Sequence, residues 1–255
     1  MTESTLAPRD GKTLVVVPVF DHGQAIGAMV DGVMDSGLDC VLVDDGSAPD
    51  CAQVLDALAQ RHADRVRLLR LPHNQGKGAA VLAGFREAAR AGATHVLQID
   101  ADGQHDPADI ARFVAQSRAH PDAVVCGVPI YDASVPKGRL YGRYLTHVWV
   151  WINTLSLDIR DSMCGFRLYP LAPVLRLMDE ETIGKRMDFD PEILVRLHWR
   201  GVAVVNLPTR VTYPQDGVSH FDVLADNVRI SRMHTRLFFG MVRRLPRLLW
   251  RKAAG

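Results

Sequence analysis

The chain predicts an α/β fold built on a mostly parallel, doubly wound sheet flanked by helices, and two features of its first half predict it. Apolar, β-branched runs recur at Thr13–Phe20, Cys40–Val43, Val66–Leu71, Thr94–Ile99 and Ala123–Cys126, and segments with helical periodicity such as Ala25–Met34 and Val54–Arg61 lie between them. Strands alternating with helices return parallel to one another, because each crossover helix carries the chain back along a face of the sheet. The unusual residues also fall where such sheets bind ligands, beyond the carboxyl ends of the strands. They are Pro18 and Phe20, Asp44 and Asp45, Asn74, then Asp100 and Asp102. Four loops are therefore expected to face one crevice.

After Cys126 the pattern changes. A loop, 130–138, follows whose Gly and Pro content permits a mobile lid without requiring one, and an aromatic helical stretch at Leu140–Leu157 comes after it. Then come the segment Asp161–Tyr169, a helix near Pro191–Trp199 and a strand at Val202–Leu207. This half is expected to cover the crevice and meet a second substrate. A chain of 255 residues has volume for one large domain with a real core.

The formal net charge of +1 conceals an uneven distribution, because Arg229 to the C-terminus holds eight Lys or Arg and no Asp or Glu. In the same region Leu224, Val228, Ile230, Met233, Leu237, Phe238, Met241, Leu245 and Leu248 recur at mostly helical intervals. The pattern predicts basic amphipathic helix, broken or kinked near Pro246. Such a helix either docks on an anionic membrane surface or packs its apolar face on the domain. Docking is the expectation, because Leu248, Leu249 and Trp250 continue past the proline with basic flanks. Leu145–Leu157, with Trp149 and Trp151, reads as core, with a second interfacial surface as the alternative. The four cysteines lie far apart without C-x-x-C spacing and read as reduced thiols of a cytosolic protein. Residues 1–12 lack the apolar core of a signal peptide, and no run reaches the ~18 uncharged apolar residues of a spanning helix. The expected location is cytoplasmic, peripheral on the cytoplasmic face of a membrane.

The stretch Leu97–His105 carries the clearest chemistry. Its apolar run ends in Asp100 and Asp102, and residues i and i+2 of an extended chain point the same way. Both carboxylates can therefore hold one hard divalent cation, magnesium or manganese. An ion held by so few protein groups keeps positions open, typically for a diphosphate whose bond is breaking. A calcium loop of the EF-hand type does not fit, since His105 and Ala111 stand where it needs Gly and Glu; a solvated acidic turn does. In Asp44-Asp45-Gly46-Ser47 a carboxylate can accept from a base N–H or a ribose hydroxyl. Alternatively, this is a turn whose Ser47, or the later Asp50, caps the next helix.

Asn74-Gln75-Gly76-Lys77-Gly78 places glycines and a cation where a helix begins, which suits close approach to phosphate oxygens. It is neither a Walker loop, which needs Gly where Leu71 stands, nor a dinucleotide fingerprint, which needs Gly where Val81 stands. No H-E-x-x-H spacing supports zinc, and Gly217–Phe221 lacks the last glycine of a nucleophile elbow. Without zinc-finger or RNA-recognition signatures, no nucleic-acid partner is expected.

Taken in order, Val17-Pro18-Val19-Phe20, Val43-Asp44-Asp45-Gly46-Ser47, Asn74-Gln75-Gly76-Lys77-Gly78, Asp100-Ala101-Asp102-Gly103-Gln104-His105 and Cys164-Gly165-Phe166-Arg167 resemble glycosyltransferase family 2. More narrowly they resemble its polyprenyl-phosphate (dolichol-phosphate) mannosyl- and glucosyltransferase branch, over about Leu14 to His220. The resemblance implies a GT-A fold, a UDP- or GDP-sugar donor and metal-dependent transfer with inversion. It implies that Pro18, Phe20 and Asp45 hold base and ribose and that Asn74 and Lys77 lie near the nucleotide and its phosphates. Asp100, Ala101 and Asp102 would meet the donor, with Asp100, Asp102 and Gln104 on the metal. It also puts Asp190, six residues before Arg196, where the family's catalytic aspartate sits, as base for a hydroxyl acceptor. On the residues alone, a helix N-cap before Pro191 explains Asp190 as well.

Three departures matter. Asp21 and His22 follow Phe20 where the family has Asn-Glu. Pro129 and Pro214 fall where arginines serve the acceptor phosphate, and His220 replaces a lysine. Arg139, Arg143, Arg167 and Arg210, with His220, are the expected substitutes around a polyprenyl phosphate. The alternative acceptor is a neutral hydroxyl of another lipid or lipid-linked intermediate, for which Asp190 would be indispensable. A non-catalytic nucleotide-sugar-binding protein is the rival of another class, and the intact Asp100, Asp102 and Asp190 argue against it. The expected organisation is a flexible N-terminus 1–12, a GT-A domain 13–220 with donor half 13–127 and acceptor half 128–220, and a tail 221–255. That tail leaves the anchor to peripheral docking or to a membrane partner protein.

Overall fold

The computed structural model describes residues 11–131, 137–212 and 222–254, and within these no side chains at 137–141 and 254. The N-terminal ten residues, most of the loop 130–138 and His220 lie outside the described residues, as does the side chain of Arg139. A seven-stranded sheet forms from β1 (Thr13–Val19), β2 (Asp39–Asp44), β3 (Val66–Arg70), β4 (His95–Gln98), β5 (Val124–Tyr131), β6 (Arg167–Pro170) and β7 (Val204–Val211), in the order β3-β2-β1-β4-β6-β5-β7. All neighbours are parallel except β6, which runs antiparallel between β4 and β5. The helices are α1 (Ile26–Asp35), α2 (Pro49–Arg61), α3 (Lys77–Arg90), α4 (Ile110–Ala119), α5 (Lys137–Thr154), α6 (Leu171–Glu180), α7 (Phe189–Trp199) and α8 (Val223–Ala254).

The five expected strands of the first half all form. β5 outruns its expected end because it pairs with β7 from Val124↔Val204 to Tyr131↔Val211. Pro129 does not stop it: Gly127 N–H bonds Phe166 on the β6 side, so Pro129, two residues on, turns its missing N–H to the same side, where pairing with β6 has already ended at Cys126.

Alternation along the strands divides the core in two. Val15, Val17, Leu97 and Ile99 pack with Ile26, Leu55 and Phe113 on one face. On the other, Val16, Val43, Val96 and Tyr169 pack with Phe85, Phe189 and Leu194. Every residue of α7 is buried, as expected of a helix enclosed by neighbours on all sides. The four cysteines are buried and unbridged.

α8 joins this second core. Ile230, Met233, Leu237, Met241 and Leu248 are buried beside Trp199 and Leu197 of α7, so the inner stripe of the basic tail packs on the domain. Of the break or kink expected near Pro246, the break does not occur, for α8 continues through it. Proline removes one helical hydrogen bond, but Met241 before it and Leu248 after it are both anchored. Beyond it, Arg251 Nη1 donates to the carbonyls of His198 and Trp199 at 3.0 and 3.3 Å. Among the described residues no helix is long and apolar enough to cross a membrane.

Leu237→Ala is expected to lower the unfolding free energy by about 2–4 kcal/mol in urea denaturation, whereas Trp250→Ala, at a position 71% exposed, changes it by less than about 0.5 kcal/mol. Equal midpoints for Leu237→Ala and wild type would mean that α8 is not part of the core.

Candidate active site

The site opens where β1 and β4 part. Their pairing ends at Val16↔Gln98, with Ile99 N–H bonded to Val16 O at 3.2 Å. Val19 O, on the other edge, accepts from Asp45 N–H at 2.8 Å. Alternation turns Pro18 toward β4, so its missing N–H falls just beyond the last rung. This is a switch point of the sheet, with β1 leading to β2 on one side and β4 on the other.

The loop after β2 is tied to the loops on either side. Asp45 accepts from the N–H groups of Gln75 and Gly76 at 2.7 and 2.8 Å, which fixes the turn before α3. Burial raises the Asp45 pKa, and those two bonds only partly offset it. Gly46 has φ of +76°, and a Cβ there would lie 2.6 Å from the His73 carbonyl carbon, so only glycine fits. Neither Ser47 nor Asp50 caps α2, whose N-cap is Ala48 without a side-chain bond. Instead Ser47 Oγ accepts from Asp21 N–H at 3.1 Å, and Asp21 Oδ1 accepts from Ala48 N–H at 2.7 Å. Asp21, with φ of 55°, thereby joins the β1 and β2 loops.

At the centre lies Lys77, the first residue of α3. Its Nζ donates to Asp100 Oδ2 and to Asp190 Oδ2, both at 2.7 Å. Burial opposes its charge, but Asp100 and Asp190 outweigh that and hold the ammonium protonated well above its ordinary range. Asp100 likewise is pushed up by burial, yet Lys77, His105 and Arg167 together keep it below its ordinary value. Asp190 is 4% exposed and also accepts from Gln98 Nε2 at 3.2 Å. Tyr169 Oη donates to Gln98 Oε1 at 3.3 Å, so Gln98 is held at both ends of its amide. Asp190 lies inside the first turn of α7 and the N-cap is Asp188; the capping explanation does not apply.

Asp100 Oδ1 is buried with no hydrogen-bond partner among the described residues. Asp102 is raised by burial and then by the charge of Asp100. An orphaned carboxylate oxygen beside a second, repelled carboxylate is a costly arrangement that a cation resolves, and the all-oxygen donor set fits magnesium or manganese. Gln104 Nε2 donates to Asp102 Oδ2 at 2.7 Å, so Gln104 would have to exchange that bond to offer its own oxygen. A Cβ at Gly165 would overlap the Asp100 carboxylate, which explains the glycine of Cys164-Gly165-Phe166-Arg167. His105, to which the sequence assigned no role, is buried with Nδ1 unpartnered among the described residues. Burial lowers its pKa although Asp100 and Asp102 act to raise it.

The expected acceptor residues fare unevenly. Arg167 is 0% exposed and cannot meet an acceptor. The antiparallel insertion of β6 places it opposite Gln98 and Cys126, where Nη1 donates to the Asp190 carbonyl at 2.7 Å and lies 3.6 Å from Asp190 Oδ1. It positions Asp190 instead. Arg143 makes a bidentate pair with Asp161, both bonds 2.7 Å, and His147 Nε2 lies 3.2 Å from the same carboxylate. Despite burial, His147 and Arg143 hold Asp161 well below the usual carboxylate range. The fork of Arg143 is thus engaged, not free for a phosphate. Asp161 Oδ1 also accepts from the N–H groups of Met163 and Cys164, shaping the turn beneath Asp100. Arg210 is exposed on β7 opposite Ile130. Ala101 is buried in the core at 2% exposure, so its side chain packs and only its main chain can meet a donor.

Sequence reasoning missed the loop before α7. Lys185 O accepts from Ala79 N–H at 3.0 Å, and Arg186 Nη1 donates to Asn74 Oδ1 at 3.2 Å, bringing the guanidinium of Arg186 to the start of α3. The fully buried Glu192 holds this loop through Gly184 N–H at 2.8 Å, and it also accepts from Arg196 of α7 and Arg236 of α8. The adjacent basic pair Lys185-Arg186 was the available signal.

Residues 14–181 match the model of glycosyl transferase family 2. The chain is 29% identical over 226 residues to the polyprenol monophosphomannose synthase of Mycolicibacterium smegmatis, covering 82% of this chain and 80% of that protein. It is 24% identical over 247 residues to the dolichyl-phosphate beta-glucosyltransferase of Dictyostelium discoideum, covering 88% and 73%. The structure of glucosyl-3-phosphoglycerate synthase from Mycobacterium tuberculosis, in complex with Mn2+, uridine-diphosphate and phosphoglyceric acid, superposes with a TM-score of 0.66 at 16% identity, over 91% of this chain and 78% of that one. That likeness shows the fold, which is GT-A. The matched span carries every motif from Val17 to Arg167, and the chain belongs to glycosyl transferase family 2.

Proposed function

We propose that the chain is a metal-dependent, inverting hexosyltransferase that takes its sugar from a UDP- or GDP-sugar and gives it to a membrane lipid, with polyprenyl phosphate as the first acceptor. The observation that carries the reading is the single cluster of Asp100, Asp102, Lys77 and Asp190, with an orphaned carboxylate oxygen on one side and a candidate base on the other. A divalent cation held by Asp100 and Asp102, with Gln104 as a third ligand, would neutralise the departing diphosphate. At the start of α3 the N–H groups of Gln75, Gly76 and Ala79 are already bonded, which leaves those of Lys77 and Gly78 for phosphate oxygens, and Arg186 adds positive charge there. Pro18, Phe20 and the Asp45-fixed loop form the base and ribose side.

Asp190 is the proton acceptor on the other side. Gln98, Arg167 and Lys77 hold its carboxylate in one orientation. The names of the two relatives support a polyprenyl phosphate acceptor. A second reading, a lipid hydroxyl, draws on a specific observation: Arg143 is ion-paired and Arg167 is buried, which leaves Arg139, Arg210 and His220 as candidate phosphate ligands. A hydroxyl must lose a proton whereas a phosphate oxygen is already anionic, so Asp190 separates the two.

Calorimetric titration with UDP, GDP, UDP-glucose and GDP-mannose, with manganese and with chelator, is expected to show metal-dependent binding of one nucleotide series; no binding in any arm would remove the donor assignment. Asp102→Asn should weaken the manganese-dependent affinity at least about tenfold while leaving the fold intact, and an unchanged affinity would remove the metal assignment. Because the Asp102 pKa is raised, protonation competes with the cation above the ordinary carboxylate value of about 3.9. Metal-dependent affinity is therefore expected to fall, on acidification, before an unperturbed carboxylate would titrate. For a hydroxyl acceptor, Asp190→Asn should lower kcat by about 10²–10⁴-fold with donor affinity unchanged. A rate within about tenfold of wild type would point to an acceptor that is already ionised.

A further inference from the structure

We infer that α5 and α8 together form a preformed docking face for an anionic lipid bilayer, one that needs no spanning helix. α8 carries three stripes. One is the buried stripe of Ile230, Met233, Leu237, Met241 and Leu248 already assigned to the core. A second, of Phe238, Val242, Leu245 and Leu249, recurs at helical spacing and is exposed, Leu249 by 51%. The third consists of Arg232, Arg243 and Arg247, exposed and without an ion-pair partner among the described residues. At 100° per residue the exposed apolar stripe lies between the core stripe and the arginines, with Phe239 and Trp250 on the arginine side.

α5 extends the apolar stripe from its other edge. It meets α8 through His234, whose ring stacks on Trp149 with centroids 6.0 Å apart and whose Nδ1 lies 3.3 Å from Asn153 Nδ2. It also meets α8 through Lys252, which donates to Leu155 O. Both residues lie on the edge of α8 next to Phe238 and Leu245. Leu145, Val148, Trp149 and Ile152 of α5 are exposed, so two adjacent helices present one apolar surface. The same helix reaches the active site, where Arg143 pairs with Asp161 below the Cys164–Gly165 turn. Isolated exposed apolar side chains are ordinary, but a contiguous patch rimmed by one sign of charge marks an interaction surface.

Charge complementarity names the occupant. From Arg229 onward the chain has no carboxylate side chain, and each arginine near an anionic leaflet is worth about fivefold in partitioning. An apolar stripe with an arginine flank matches a helix lying in the headgroup region. The inference does not rest on the assignment of Asp190 or of the donor.

Flotation of the full chain with phosphatidylcholine vesicles, and with vesicles containing roughly one-third phosphatidylglycerol, tests it. Wild type is expected to float with the anionic vesicles and at least about tenfold less with the neutral ones. Val242→Glu combined with Leu249→Glu should abolish flotation, and Arg243→Glu combined with Arg247→Glu should remove only the preference for anionic lipid. Both variants should keep the wild-type melting temperature and nucleotide affinity. Should the first variant fail to fold, quenching of wild-type tryptophan fluorescence by brominated acyl chains gives the same answer, since Trp250 and Trp149 lie on this face. Wild type that neither floats nor is quenched would overturn the inference, as would flotation unchanged in both variants. A dimer in light scattering that Leu249→Glu dissociates would also overturn it, giving the face to a second copy of the chain.

Discussion

One ammonium group organises the active site. Lys77 opens α3, bonds the carboxylate that ends the β4 run and bonds the carboxylate in the first turn of α7. Three elements far apart in sequence thus converge on a single charge. A buried lysine is tolerable only when paired, and a buried carboxylate likewise; here each satisfies the other, with Gln98, Arg167 and Tyr169 completing the pairing of Asp190. Removing Lys77 would take the shared cation from both carboxylates. The mutual satisfaction is also incomplete on one side, at Asp100 Oδ1, which has no hydrogen-bond partner among the described residues.

The surrounding scaffold is arranged to hold loops rather than strands in place. Asp45 fixes the turn before α3, Asp21 fixes the turn before α2, and Asp161 fixes the turn before β6. In each case a carboxylate accepts main-chain N–H, from a neighbouring loop for Asp45 and Asp21 and from its own loop for Asp161, which defines the loops. Glu192 does the same for the loop across the start of α3 and links it to α7 and α8. The loop at the start of α3 and the C-terminal helix therefore share one buried anion.

Much of this was legible in the sequence. Strand–helix alternation gave the sheet as far as β5, and the i, i+2 spacing of Asp100 and Asp102 marked the strand end. The antiparallel β6 was not legible, because Arg167-Leu168-Tyr169-Pro170 is short and carries a charge, and it becomes a central strand only through partners on both sides. Arg167 was misread for the same reason: a lone arginine in sequence looks solvent-seeking, and its burial depends on β4, β5 and α7 closing around it. Arg143 looked free because Asp161, its partner, is eighteen residues away. Pro246 looked like a break because local propensity cannot register the packing on both sides of it.

The state of α8 in the isolated chain bears on how it meets anything else. Amphipathic segments that are disordered in solution must fold as they bind, and the ordering entropy is then subtracted from their affinity. α8 is folded beforehand, because its inner stripe is already held by α7 and α5. Its outer side chains are thus displayed in a fixed register before any encounter, and association requires only desolvation and alignment. A rigid platform of this kind also fixes the angle at which the crevice between β1 and β4 faces whatever α8 rests against.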